Sequence, residues 1–234
     1  MDPMGSITPK KDSSLAMLLE AERRGADIYY MLQDDLRLVA GEARARARWL
    51  TVRDDNDDWY TVGDVSDIRL GDLDVVLMRK DPPFDMEYVY TTYILERAET
   101  AGALIVNKPQ ALRDMNEKAV TAWFPQCAPL TIITRSMAEM KDFLAENQRI
   151  VVKPLDGMGG KSIFVVCHED KNANVIFETL TDNGSQFAMA QVFIPEISEG
   201  DKRILLVDGE PIPYGLARIP SADDNRGNLV MGAV

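Results

Sequence analysis

Short apolar runs alternate along the chain with longer stretches in which apolar residues recur at helical spacing. Ser13 and Ser14 stand where a helix cap is wanted, with Leu15, Leu18 and Leu19 on one face and Gly25 at the end, and Ile28-Tyr29-Tyr30-Met31-Leu32 follows as a strand. Val75-Val76-Leu77-Met78 predicts a buried strand, Glu87 to Thr100 a helix closing at Gly102, and Ala103-Leu104-Ile105-Val106 the next strand. That strand-helix-strand rhythm predicts α/β structure with a mainly parallel sheet and helices on its faces. From about Ala111 the pattern reads helix, then Thr131-Ile132-Ile133, then a helix opened by the capping box Ser136-x-x-Glu139. Hairpins come next. Ile150 to Lys153 and Ser162 to Val166 flank a glycine loop, and Arg203 to Val207 and Pro211 to Ala217 flank the turn signal Asp208-Gly209. The change of pattern at residues 115–125 divides the chain into an N-terminal α/β half and a C-terminal α+β half.

Composition narrows the function classes. The 234 residues carry 26 Lys+Arg against 38 Asp+Glu, a net charge of −12. A strongly acidic chain is a poor nonspecific partner for nucleic acid or an anionic membrane, yet local charge still permits a small anionic ligand. Asp54-Asp55-Asn56-Asp57-Asp58 reads as a solvated loop, and Arg44-x-Arg46-x-Arg48 as one face of an exposed strand. No apolar stretch approaches the roughly 18 residues that span a bilayer, and Met1-Asp2-Pro3-Met4-Gly5 lacks the apolar core of a signal peptide, so a cytoplasmic protein is expected. The single histidine, His168, excludes a histidine metal cage and reads as a solvated turn residue. Cys127 and Cys167 have no metal or redox spacing and read as free thiols.

The most informative segment is Lys153-Pro154-Leu155-Asp156-Gly157-Met158-Gly159-Gly160-Lys161-Ser162. Gly160-Lys161-Ser162 imitates a P-loop, but that motif needs glycine where Leu155 stands, and it must open a helix, whereas Ile163-Phe164-Val165-Val166 continues as a strand. A dinucleotide fingerprint fails likewise, because its last glycine falls on Ser162. What is left is strand, glycine flap, strand, with a lysine closing the first strand. Glycines would let backbone amides approach a polyphosphate with Lys153 as a cation beside it, while a plain hairpin turn with an incidental lysine is the other reading; three glycines in four positions, more than a tight turn needs, favour the first.

With this flap, the blocks Arg79-Lys80-Asp81-Pro82-Pro83-Phe84-Asp85, Asn107-Lys108-Pro109, Asn116-Glu117-Lys118, Met189-Ala190-Gln191, Gly200-Asp201-Lys202-Arg203 and Ala217-Arg218-Ile219-Pro220 closely resemble bacterial glutathione synthetase, an ATP-grasp enzyme. The resemblance runs from Met1 to Asn228. It implies an N-terminal α/β substrate domain (1–117) followed by an α+β ATP-grasp domain (118–234). It also implies ATP-dependent joining of glycine to γ-glutamylcysteine, with ATP and Mg2+ (or Mn2+) required and ADP and phosphate released.

Such chemistry first phosphorylates a carboxylate, then lets an amine displace phosphate. It needs positioning and charge neutralisation rather than a nucleophilic side chain. On the resemblance, Lys118 and Lys153 grip the ATP phosphates beneath the flap Gly157, Met158, Gly159 and Gly160, and Gln191, Val192, Phe193 and Ile194 run along the adenine. Asp201 holds the ribose end. Arg79, Arg203 and Arg218 bind peptide carboxylates or the developing acyl phosphate, with Lys153, Arg203 and Arg218 in the catalytic roles. Arg226 belongs to a second loop that closes over the intermediate, and Lys11 and Ser13 to a block beside the peptide. Arg218 stands out without the resemblance too, since an arginine inside the apolar stretch Tyr214 to Ile219 needs an anionic partner.

The resemblance carries two departures. Family members begin with an apolar strand before the Met-Asp-Pro block, so a first strand is expected to be missing. Their metal ligands lie in a later segment, so none is expected before Val234, and this chain is expected to be weakly active or inactive. A homo-oligomer, a tetramer in the family, is expected, with no nucleic-acid or membrane partner. Two other readings stay open: an ATP-grasp carboxylate-amine ligase with a different substrate, and a noncatalytic ATP-binding module.

Overall fold

A computed structural model describes residues 1–220 of the chain. It divides into two compact units between Asp114 and Met115.

The first unit opens with α1 (Ser13–Arg23). Its cap is Asp12, one residue ahead of the serines the sequence singled out: Oδ1 accepts from the Ser14 and Leu15 amides at 2.7 and 2.9 Å. β1 (Tyr29–Tyr30), β2 (Leu36–Val39), β3 (Glu42–Val52) and β4 (Tyr60–Arg69) form one antiparallel sheet around β3. Parallel pairing is confined to β5 (Val75–Leu77) and β6 (Leu104–Val106), which α2 (Met86–Ala101) connects. The α/β class therefore holds, while the mainly parallel sheet expected of this half gives way to a mixture. The reason is visible in β2 to β4: consecutive strands joined by short turns can pair only antiparallel. α3 (Pro109–Asp114) closes the unit.

The residues of β3 explain its position. Ala43, Ala45 and Ala47 turn inward and are almost wholly buried, while Arg44, Arg46 and Arg48 alternate with them. Between Arg48 and Leu50 the register with β4 shifts, and the inward positions become Leu50 and Val52. Across this shift residues 63 and 64 of β4 stand against Trp49 alone, and the inward side of β3 passes from odd to even positions, which keeps apolar groups inward on both halves of the strand. Ala43 and Ala45 share a core with Leu70, Leu95, Ala98 and Ile105, whereas Leu50 and Val52 join Leu15, Tyr30 and Trp59. The arginines are paired: Arg48 and Arg46 lie 3.0 and 3.6 Å from the buried carboxylate of Asp35, and Arg44 meets Glu42 and Asp67. The acidic run 54–58 is exposed.

The second unit is built on an antiparallel sheet in the order β7 (Thr131–Thr134), β10 (Ala188–Val192), β8 (Arg149–Pro154), β9 (Phe164–Cys167). α4 (Met137–Asn147) and α5 (Ala173–Thr181) cover it. Their Met140, Phe143, Leu144, Phe177 and Leu180 pack with Ile150, Val152, Val166, Ala188 and Ala190. Burying the larger of these side chains stabilises by about 1.5–3 kcal/mol each. Ser136 caps α4 as expected, through Oγ to the Glu139 amide at 3.3 Å, but the Glu139 carboxylate takes the Thr134 hydroxyl instead of closing a capping box. β11 (Asp201–Val207) and β12 (Glu210–Arg218) form the expected hairpin. Asp208 and Gly209 have φ of 51° and 82°, as a tight two-residue turn between twisted strands requires. His168 is an exposed turn residue, and Cys127 and Cys167 are exposed free thiols.

Candidate functional site

β8 and β9 hold the glycine loop between two paired strands. Val152 faces Phe164, and Lys153 lies beyond that pair at the end of β8. Gly159, Gly160 and Ser162 all have positive φ, at 66°, 79° and 56°, so the backbone here folds back on itself in a way that glycine permits at low cost. Gly160 is buried, whereas Met158 points outward.

Lys118 reaches this loop from the segment before the sheet. Its Nζ donates to the Gly157 carbonyl and, at 2.9 Å, to the Glu117 carboxylate. The Lys153 ammonium is held below the usual lysine range, first by burial, then by the positive charge of Lys118, with Glu117 opposing. The two lysines repel one another beside the glycine loop, and a polyanion placed there would relieve the repulsion.

The segment after β10 is partly occupied by its own structure. Gln191 is buried and donates from Nε2 to Thr131 Oγ1 at 2.9 Å. The Val192 and Phe193 amides donate to the Leu130 and Arg149 carbonyls, and the Arg149 guanidinium lies 3.8 Å from the Phe193 ring centroid. Ile194 is exposed.

In the hairpin, Asp201 stands opposite Arg218 and Arg203 opposite Leu216. Residues directly opposed, and those two apart on one strand, share a face, so Asp201, Arg203 and Arg218 lie together. Arg218 donates to both Asp201 oxygens, at 2.6 and 2.7 Å. Here the anionic partner expected for Arg218 is a carboxylate of the chain itself. Gly200 before it has φ +101°, and a Cβ there would lie 2.7 Å from the Arg218 carbonyl oxygen.

The other candidates belong to the first unit. Arg79 follows β5 and donates to the Ser14 and Ser13 hydroxyls at 3.0 and 2.9 Å. Beside it Lys80 pairs with Asp2 at 2.8 Å, and Asp2 also accepts from the Asp81 amide. Lys11 lies in the 3-10 turn Pro9–Lys11 just ahead of α1. Arg226 lies outside the described residues.

Ser14 and Asn116 are partners the sequence reading passed over as site residues. An asparagine two residues ahead of Lys118, opening a short helical turn, is a capping signal that could have found the second. Among the described residues, no group of three or more His, Cys, Asp or Glu side chains is placed to hold a metal ion.

The architecture defines the class. The macrocyclase MdnC of Microcystis aeruginosa, solved with its precursor peptide, superposes with a TM-score of 0.55 at 15% identity over 92% of this chain and 71% of its own. A RimK-domain ATP-grasp protein of Sphaerobacter thermophilus gives 0.54 at 16% identity, over 83% and 65%. At such identities the likeness establishes the fold, which is ATP-grasp. Residues 1–113 match the model of the prokaryotic glutathione synthetase N-terminal domain, and residues 117–234 that of the prokaryotic glutathione synthetase ATP-grasp domain. The glutathione synthetases of Yersinia pestis and Escherichia coli K12 are 58% and 56% identical over 232 residues, covering 99% of this chain and 73% of theirs. The chain belongs to the prokaryotic glutathione synthetase family.

Proposed function

We propose that this chain carries the nucleotide cradle and peptide-binding arginines of a glutathione synthetase, an ATP-dependent ligase that joins glycine to γ-glutamylcysteine. The observation that carries the reading is the glycine loop of β8–β9 with Lys118 and Lys153 against it, in a chain of this family.

The residues suit the chemistry in order. Lys118 and Lys153 hold the phosphates of ATP, and Gly157 to Gly160 cover them. With the Val192 and Phe193 amides already engaged, the Ile194 amide is left to meet the adenine edge. Asp201 serves the ribose end. Arg203 and Arg218 flank the cysteinyl carboxylate as it attacks the γ-phosphorus and ADP departs with the electrons of the broken bond to the bridging oxygen, neutralising charge that spreads over the transferring group. The glycine amine then attacks the acyl phosphate carbonyl, loses a proton, and phosphate departs with its bonding electrons. Arg79, with Ser13 and Lys11 near it, holds a peptide carboxylate, a task suited to a planar bidentate donor. Arg226 closes over the intermediate, and excluding water there protects it from hydrolysis.

A divalent cation, magnesium by resemblance, would supply further charge neutralisation at the phosphates when bound. Among the described residues no cluster fits it. We place the substrate domain at 1–117 and the nucleotide domain at 118–234, in a cytoplasmic homo-oligomer. No helix among the described residues is long and apolar enough to cross a membrane.

The test is glutathione formation and phosphate release from γ-glutamylcysteine, glycine and Mg-ATP, beside ATP binding by calorimetry. Glutathione formation with equivalent phosphate supports the reading. ATP binding without phosphate release for this dipeptide, but with release for another acceptor, would replace the substrate assignment.

A further inference from the structure

The Asn116 side chain uses both ends of its amide. Its Oδ1 accepts from the Lys118 and Ala119 amides at 3.0 and 2.9 Å, where the chain enters the turn Ala119–Trp123. Its Nδ2 donates to the Leu155 carbonyl at 3.1 Å, across 39 residues of sequence. Leu155 lies between Lys153 and Gly157, and Gly157 in turn accepts from Lys118 Nζ. Asn116, Leu155, Gly157 and Lys118 thus close a ring in which one neutral side chain joins the backbone of one lysine to the loop that follows the other.

From this geometry we infer that Asn116 is a positioning residue for nucleotide binding. It sets Lys118 and the near side of the glycine loop at a fixed spacing, so that the two ammonium groups and the loop amides meet a triphosphate together. The inference rests on the nucleotide-cradle reading above. A neutral amide adds no charge for the phosphates, so its contribution is geometric: a loop that must be ordered anew for each ligand binds more weakly than one already in place.

Asn116→Ser separates the two ends of the device, because serine caps a helical turn well but is too short to reach Leu155. Lys161 lies in the loop, so tryptic cleavage after it reports loop opening. In the full chain, the serine variant should cleave there about five- to tenfold faster, the loss of a single hydrogen bond. It should bind Mg-ATP several-fold more weakly in calorimetry, with unchanged circular dichroism. Asn116→Ala should do the same and also lower Tm. Cleavage and ATP affinity both within twofold of the parent in the serine variant would overturn the inference. Lys153→Met separates this result from the underlying reading: it should weaken ATP binding and leave cleavage after Lys161 near the parent rate. If it leaves ATP affinity unchanged, the cradle reading fails, and the cleavage rates alone decide the role of Asn116 in holding the loop.

Discussion

Replacing Lys153 by methionine should make the ligand-free protein more stable and the nucleotide-bound protein less so. The folded chain keeps this ammonium mostly buried and beside a second lysine, which lowers its pKa from the ordinary 10.5. Burial and the neighbouring positive charge penalise the ammonium in the folded chain and not in the unfolded one. Methionine has similar length and no charge. Replacing fully buried charges by apolar groups of like volume gains up to about 4 kcal/mol, and partial exposure brings the expectation here to about 1 kcal/mol. The sign with pH follows from proton binding. Between the lowered folded pKa and 10.5 the unfolded chain binds more protons, so the parent grows more stable as pH rises through that window, and the advantage of methionine shrinks.

ATP reverses the order. At a hundred times Kd the ligand adds about 2.7 kcal/mol to the parent. Losing a charge-assisted phosphate contact costs about 1.5–3 kcal/mol, roughly 30-fold in Kd, so the variant gains only about 0.9 kcal/mol at the same concentration. The parent should then lead by about 0.8 kcal/mol. Urea unfolding at pH 7 and at pH 9.5, with and without Mg-ATP, measures all four states. A variant that is less stable than the parent without ligand, or whose advantage grows with pH, would refute the reasoning about burial and repulsion.

Gly71→Ala places a Cβ 2.5 Å from that of Ala101 and should destabilise by about 1–2 kcal/mol in urea titration, overpacking outweighing the reduced entropy of the unfolded chain; Ala101→Gly in the same chain should restore part of it. Gly200→Ala meets both a left-handed backbone and the Arg218 carbonyl, and should speed amide exchange in β11 and β12 at least tenfold while leaving exchange in β8 unchanged. In a double-mutant cycle, Asp201→Ala and Arg218→Ala should show a coupling of about 1–2 kcal/mol in kcat/KM for the dipeptide; additive effects would show that the two side chains act separately. His168→Ala should leave the pH profile of activity unmoved, since the ring is exposed in a turn.

What the sequence made legible follows from locality. Gly102 after an apolar-periodic run, Asp208-Gly209 between two apolar runs and Ser136 ahead of α4 each act within a few residues, and each marks its element correctly. The strand-loop-strand path from Lys153 to Val166 was readable because a glycine cluster without a following helix leaves few backbone routes. Pairing direction was not readable. Whether the run from Glu42 to Val52 joins a parallel or antiparallel sheet depends on where β2 and β4 lie, and the Ala–Arg alternation is compatible with either. The Asp201–Arg218 pair was half legible: apolar surroundings demanded an anion for Arg218, but the register that makes Asp201 that anion arises only when the hairpin closes. Asn116 escaped because its significance comes from Leu155, far along the chain.

The alternation in β3 also divides how the strand tolerates change. At 43, 45 and 47 any added methylene meets close-packed core, so these positions should accept little beyond alanine, glycine or serine. At 46 and 48 charge is not free, because Asp35 is buried and depends on those two arginines, whereas Arg44 serves Glu42 and Asp67. A saturation library across this strand should therefore give two interleaved profiles, one selecting for size and the other for charge. The size-selected positions should change parity after residue 48, where the register with β4 shifts and Leu50 and Val52 take the inward places.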